Sequence, residues 1–134
     1  AERFDVIWVA SLFSHLPLAL WEGWLEKLYS MLAADGLLIF STHGLSCLES
    51  SPAGYRVNAI AERSGFYYVR QSESQRLDAE SYGTTYVSSE FVQGVVKARN
   101  LGKIASTYPK MLWNFQDIYV LRKSNLLSMS DRDE

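Results

Sequence analysis

The stretch FDVIWVASLFSHLP, residues 4–17, decides how the rest of the chain is read. Residues 4–10 are apolar at every position except Asp5, the pattern of a strand whose sheet is covered on both faces. Ser14 then offers a helix cap, and Pro17 suits a first turn, where its missing N–H costs little. From Leu16 an apolar residue recurs every fourth position (Leu20, Trp24, Leu28, Leu32), flanked by Trp21, Leu25 and Tyr29, with Glu22, Glu26 and Lys27 off that stripe. The spacing predicts an amphipathic helix lying on a sheet. The run AADG at 33–36 stops it, with Gly36 suited to a left-handed turn, and LLIFSTH at 37–43 reads as a second buried strand. Strand, helix and strand in that order make a right-handed crossover between parallel strands. A strand of this kind belongs inside a sheet, yet only Ala1, Glu2 and Arg3 stand before it in the sequence.

Composition narrows the class. The 134 residues amount to one domain, and 48% hydrophobic with 21% charged residues excludes a disordered or fibrous chain. A net charge of -2 gives no reason to expect nucleic acid or an anionic membrane as partner. The single cysteine, Cys47, has no internal disulfide partner, and no apolar run is long enough for a membrane span. These features predict a soluble cytoplasmic protein.

Further along, residues 45–64 allow one short helix with Val57, Ile60, Ala61 and Ser64 on one side, and Gly65 opens a strand, GFYYVRQ. RLDAESYGTTYVS turns at Gly83 and aligns Tyr82, Thr84 and Tyr86 on one side of an extended segment. SSEFVQGVVKAR is a helix capped by Ser88 or Ser89, with Phe91, Val92, Val95 and Val96 inward and Asn100 or Gly102 at its end. KIASTYP and QDIYVLRK close the domain as antiparallel strands around KMLWNF. The polar residues 124–134 read as a tail on a single domain of residues 1–123.

The opening stretch, the tryptophan-rich helix, LAADGLLIFSTHG, YGTTYVSSEFV and QDIYVLRK together resemble the second half of a class I S-adenosylmethionine-dependent methyltransferase. The resemblance implies an α/β, Rossmann-like fold in part. Residues 4–10 would be the family's fourth strand, 37–43 its fifth, and the closing pair its sixth and seventh, giving a mixed sheet in the order 4, 5, 7, 6. One small departure is Leu37 after Gly36, where the family often has two glycines. The large one is the absence of any GxGxG-like run, and of an acidic residue ending an earlier strand. By resemblance, then, the neighbour wanted by residues 4–10 is the family's N-terminal, cofactor-binding half. S-adenosylmethionine would serve the intact parent, and this truncated chain alone would hold no cofactor.

Ligands of doubly wound sheets bind beyond the carboxyl ends of the strands, which directs attention to residues 10–15 and 42–44. Each segment carries a histidine, and an imidazole can orient a substrate or accept a proton near neutral pH, so His15 and His43 are the catalytic candidates. By resemblance Ser11, Phe13 and His15 would face the cofactor, and His43, Gly44, Tyr82, Tyr86 and Asp117 the substrate. Each also has a plainer role: Ser14 and His15 suit helix entry, Tyr82 and Tyr86 suit a strand, and Gln116 and Asp117 suit a turn. Two histidines and Cys47 are too few for a metal site, so none is expected. Trp8 and Trp24 are expected in the core, and Lys97, Arg99 and Lys103 complement a helix end without implying a phosphate.

Two functions compete. One is a small-molecule methyltransferase, represented here by its substrate-side half and inactive without the glycine-rich loop. The other is a non-catalytic binding or oligomerising module derived from such an enzyme. Because residues 4–10 would leave a long apolar edge, and helices would cover only one sheet face, a homodimer through that edge or the uncovered face is expected.

Overall fold

The computed structural model describes residues 3–70 and 82–125. The opening run forms β1 (Phe4–Val9), which pairs in parallel with β2 (Leu32–His43) after the intervening helix α1 (Leu18–Ser30). The unit is the expected crossover, with a changed junction. β2 starts at Leu32, and the register jumps from Phe4 opposite Leu32 to Val6 opposite Leu37, so residues 33–36 loop out of the ladder. Asp35, not Gly36, takes the left-handed conformation, at φ 62°. A short polar side chain tolerates that region. Gly36 is needed for space, because a Cβ there would lie 2.8 Å from the Ala33 carbonyl oxygen and 3.0 Å from that of Phe4.

The inward face of α1 also differs from expectation. Trp21 and Leu25 are fully buried, while Trp24 is 43% exposed and Leu20 is exposed as well. Two apolar rows run side by side on the helix, Leu20–Trp24–Leu28 and Trp21–Leu25–Tyr29, and the second is the one centred on the sheet. Ser14 does not cap the helix. Its N-cap is Pro17, which has no side-chain cap bond, and the Leu18 N–H instead donates to the Glu62 carboxylate at 3.1 Å.

Pro52 divides the middle segment, where one helix was expected, into α2 (Leu45–Ser50) and α3 (Ala53–Asn58). A strand, β3 (Ile60–Arg63), follows in place of helix, and Val57 and Ile60 are exposed rather than inward. Gly65, at φ 81°, turns β3 into β4 (Phe66–Val69), which pairs with β5 (Thr84–Val87). The segment 71–81, in which the Arg76–Ser81 part of the extended run falls, lies outside the described residues, as does 126–134 of the tail. Helix α4 (Ser89–Ala98) is as expected: Ser88 Oγ accepts from the Phe91 N–H at 3.1 Å, and Phe91, Val92, Val95 and Val96 are buried. The antiparallel strands β6 (Lys103–Leu112) and β7 (Gln116–Arg122) complete the sheet.

The strand order is β3-β4-β5-β2-β7-β6, with β1 also on β2. β1, β2, β7 and β6 reproduce the four-strand order expected, and β3, β4 and β5 enlarge the sheet to seven strands. β7 occupies one edge of β2, while β1 and then β5, through His43 opposite Tyr86, share the other. Both long helices lie on one face: the Trp21 ring meets Phe91 at 5.2 Å, Phe40 at 6.4 Å and Phe66 at 6.5 Å. Arg99 ties α4 to Glu22 (2.9 Å) and Glu26 of α1, and Arg63 of β3 also pairs with Glu22. Ile7 and Val9 of β1 pack on this core. Val6 and Trp8, facing the other way, are 56% and 50% exposed, so Trp8 is not the core residue expected. Among the described residues, no helix is long and apolar enough to cross a membrane.

Candidate functional site

Beyond Val9 the chain turns sharply. Ser11 sits at φ 59°, a conformation rare for a residue with a side chain, and a closed ring of hydrogen bonds holds it there. The Ser11 N–H donates to Ser41 Oγ (2.9 Å), Ser41 Oγ to Gln116 Oε1 (2.8 Å), and Gln116 Nε2 to Ser11 Oγ (2.9 Å). Strand end, β2 and β7 are thereby locked together by neutral, buried groups.

The next residues are sewn to β5. The Ser14 carbonyl accepts from the Thr85 N–H and the His15 carbonyl from the Gly83 N–H, both at 2.8 Å, and Thr85 Oγ1 donates to the Leu16 carbonyl. His15 Nδ1 lies 2.8 Å from the Gly83 carbonyl oxygen, and the ring stacks on Tyr82 at 4.8 Å. A carbonyl only accepts, so in the neutral ring Nδ1 carries the proton and Nε2 the lone pair. Gly83 is required here, since a Cβ would meet the Tyr68 ring at 2.7 Å.

His43 ends β2 with its ring 5.9 Å from that of His15, 5.4 Å from Tyr86 and 5.8 Å from Phe115. Burial, reinforced by the neighbouring His15, lowers its pKa from 6.5 to about 4; backbone groups of Thr85 and Ser14 oppose this weakly. His43 Nδ1 is buried without a hydrogen-bond partner. The ring is neutral at pH 7.

These groups border a cavity of about 540 Å³ at the carboxyl ends of β1 and β2. Ser11, His15, His43, Thr84, Tyr86 and Gln116 form its floor and sides. Cys47, Ser50, Ser51 and Tyr55 of the α2–α3 segment and Trp113 and Phe115 of the β6–β7 turn close the rest. The Tyr86 hydroxyl is 2.9 Å from Ser51 Oγ, which also donates to the Cys47 carbonyl (2.5 Å). Burial raises the Cys47 pKa and its Sγ donates to the Phe115 carbonyl at 3.0 Å, so the thiol is not primed as a nucleophile. Among the described residues, no three His, Cys, Asp or Glu side chains are grouped so as to hold a metal.

Of the residues singled out from sequence, Ser11, His15, His43 and Tyr86 meet in this cavity. Tyr82 stands behind His15 as a stacking partner. Phe13 lies elsewhere: it is fully buried in the core, 5.0 Å from the Trp21 ring and 5.1 Å from Phe40, and accepts the Trp21 Nε1 hydrogen bond at its carbonyl. Gly44 and Asp117 pair with each other away from the cavity. A Cβ on Gly44 would lie 2.5 Å from Asp117 Oδ2, and Asp117 Oδ1 accepts from the Lys110 N–H at 3.0 Å. They border a separate recess with Pro109 and Ser88. Gln116, read as a turn residue, is a buried strut of the site. The α2–α3 wall and the two turn aromatics went unread.

No protein-family model and no curated protein matches the chain. Among solved structures, an S-adenosylmethionine-dependent methyltransferase from Clostridium acetobutylicum ATCC 824 is similar over 92% of this chain, with a TM-score of 0.58 and 13% sequence identity. This chain spans 60% of that protein's length. The likeness shows the fold: a mixed α/β sheet with helices, of the methyltransferase kind.

Proposed function

We propose that this chain is the substrate-side part of a class I S-adenosylmethionine-dependent methyltransferase acting on a small molecule. The observation that carries this reading is the position of the cavity. It lies past the carboxyl ends of β1 and β2, and among the described residues β1 pairs only with β2, leaving its outer edge on the side where a cofactor-binding strand would stand. The residues present do not fit the cofactor by themselves. Among the described residues, the cavity lining holds no carboxylate to take ribose hydroxyls and no Lys or Arg to take a carboxylate, and the sequence has no glycine-rich loop. What this chain contributes is the acceptor's side: His15 Nε2 as a fixed hydrogen-bond acceptor, a neutral His43, and aromatic walls that exclude water.

The test is a methyl-transfer assay on the protein extended by the reading frame upstream of Ala1. Turnover is expected there, and His15→Ala should lower it with only a modest change in thermal stability, because the contacts it removes, to the Gly83 carbonyl and the Tyr82 ring, lie outside the hydrophobic core. An inactive extended protein, or a large stability loss with unchanged turnover, would contradict the assignment.

The exposed sheet face at Val6 and Trp8 favours a second reading, a non-catalytic module that self-associates through that face. An upstream frame lacking a glycine-rich strand and turn would select it.

A further inference from the structure

We infer that the cavity beside His15 and His43 binds an uncharged ring compound bearing a free hydroxyl, with the ring against the aromatic wall and the hydroxyl donating to His15 Nε2. This rests on the same cavity being the acceptor site, and it names the class of acceptor. Three observations converge on it.

The first is charge. Among the described residues, neither Asp, Glu, Lys nor Arg lines the cavity. A carboxylate, phosphate or ammonium group would be desolvated there without a counter-ion, which is costly.

The second is shape. Tyr86, His43 and Phe115 lie face toward face, at 5.4 Å and 31° and then 5.8 Å and 25°, and Trp113 continues the row 6.4 Å beyond Phe115. Trp113 is 61% exposed, so the row presents open aromatic surface at the rim. Such faces hold rings. The volume of about 540 Å³ is that of a small-molecule site.

The third is the remaining hydrogen-bonding capacity, which His43 Nδ1, buried without a partner, shares with His15. Ser11 and Gln116 bond each other, Ser50 donates to the Ser46 carbonyl, and Ser51 is shared between the Cys47 carbonyl and Tyr86. The Gly83 carbonyl takes the His15 Nδ1 proton, which leaves Nε2 as an acceptor. A ligand that meets Nε2 brings a donor to it, and a hydroxyl is an uncharged donor that can also serve as a methyl acceptor.

Neutral phenols and neutral methyl pyranosides share this chemistry, and titrating both into the 134-residue chain under nuclear magnetic resonance distinguishes them. Saturable binding is expected for one of the two sets, shifting the Trp113 indole and the His15 imidazole. Trp113→Ala should weaken it roughly tenfold, the worth of one stacking face. O-methylated analogues of the bound compound, lacking the donor, should bind more weakly than the parent, and His15→Phe should abolish that difference. Tighter binding of 4-hydroxybenzoate or tyramine than of the neutral probes would overturn the inference, as would no saturation by either neutral set. The assay needs no cofactor. A protein that binds neutral rings but transfers no methyl group would refute the methyltransferase reading alone, and methylation of a charged acceptor would refute only this one.

Discussion

His43 shows how one side chain can serve a site at the expense of stability. It is the middle ring of the row between Tyr86 and Phe115, its Nδ1 is buried unpartnered, and its pKa falls to about 4. Above the unfolded value of 6.5 the ring is neutral folded or unfolded, so it contributes no pH dependence. Between 6.5 and about 4 the unfolded chain takes up the proton and the folded chain does not, so stability falls as the pH drops through that window. The difference between pH 7 and pH 5 is about 2 kcal/mol. Urea unfolding at the two pH values should show this loss, and His43→Phe, which keeps a ring in the stack, should remove most of it. A variant that loses as much stability as the parent would mean that His43 is not the group being titrated.

Among the elements, α1 separates two tryptophans of very different weight. Trp21 is fully buried, touches Phe13, Phe40, Phe66 and Phe91, and donates from Nε1 to the Phe13 carbonyl at 3.0 Å. Trp21→Ala should cost about 3–5 kcal/mol, while Trp24→Ala, at a 43% exposed site, should cost less than about 1 kcal/mol. Chemical denaturation of both variants checks the order, and equal losses would place the core on the wrong side of the helix. The sequence pattern made the helix plain but put Trp24 on its core face, because the rows Leu20–Trp24–Leu28 and Trp21–Leu25–Tyr29 are equally apolar and nothing local tells which one is centred on the sheet. β1, β2, α4 and the closing hairpin were legible because periodicity and capping are local. The site was only half legible. His15 and His43 announce themselves at strand ends, whereas Gln116 acquires its role from Ser11, 105 positions away, and Phe115 acquires its role by stacking on His43. No local pattern carries such contacts. The burial of Phe13 was not legible for a related reason: in a loop without a period, nothing in the sequence tells which of Ser11, Phe13 and His15 turns inward.

For the molecule as a whole, the lopsided sheet matters most. Val6 and Trp8 on β1 carry large exposed apolar side chains, each worth roughly 1.5–3 kcal/mol on full burial, while Ile7 and Val9 on the reverse side are already packed. We expect the isolated chain to self-associate through this face or through the free β1 edge, with Trp8→Lys shifting it toward monomer in light scattering. A parent chain that is monomeric at high concentration, with solubility indifferent to the lysine, would mean the surface needs no cover. In the extended protein the same face and edge would meet the cofactor-binding half. The measurement that tests this central claim most directly is calorimetric titration of S-adenosylmethionine into the 134-residue chain and into the protein extended upstream of Ala1. The account predicts no saturable binding by the first and saturable, roughly micromolar binding by the second, worth about 8 kcal/mol. Saturable micromolar binding by the 134-residue chain alone, or none by the extended protein, would contradict it.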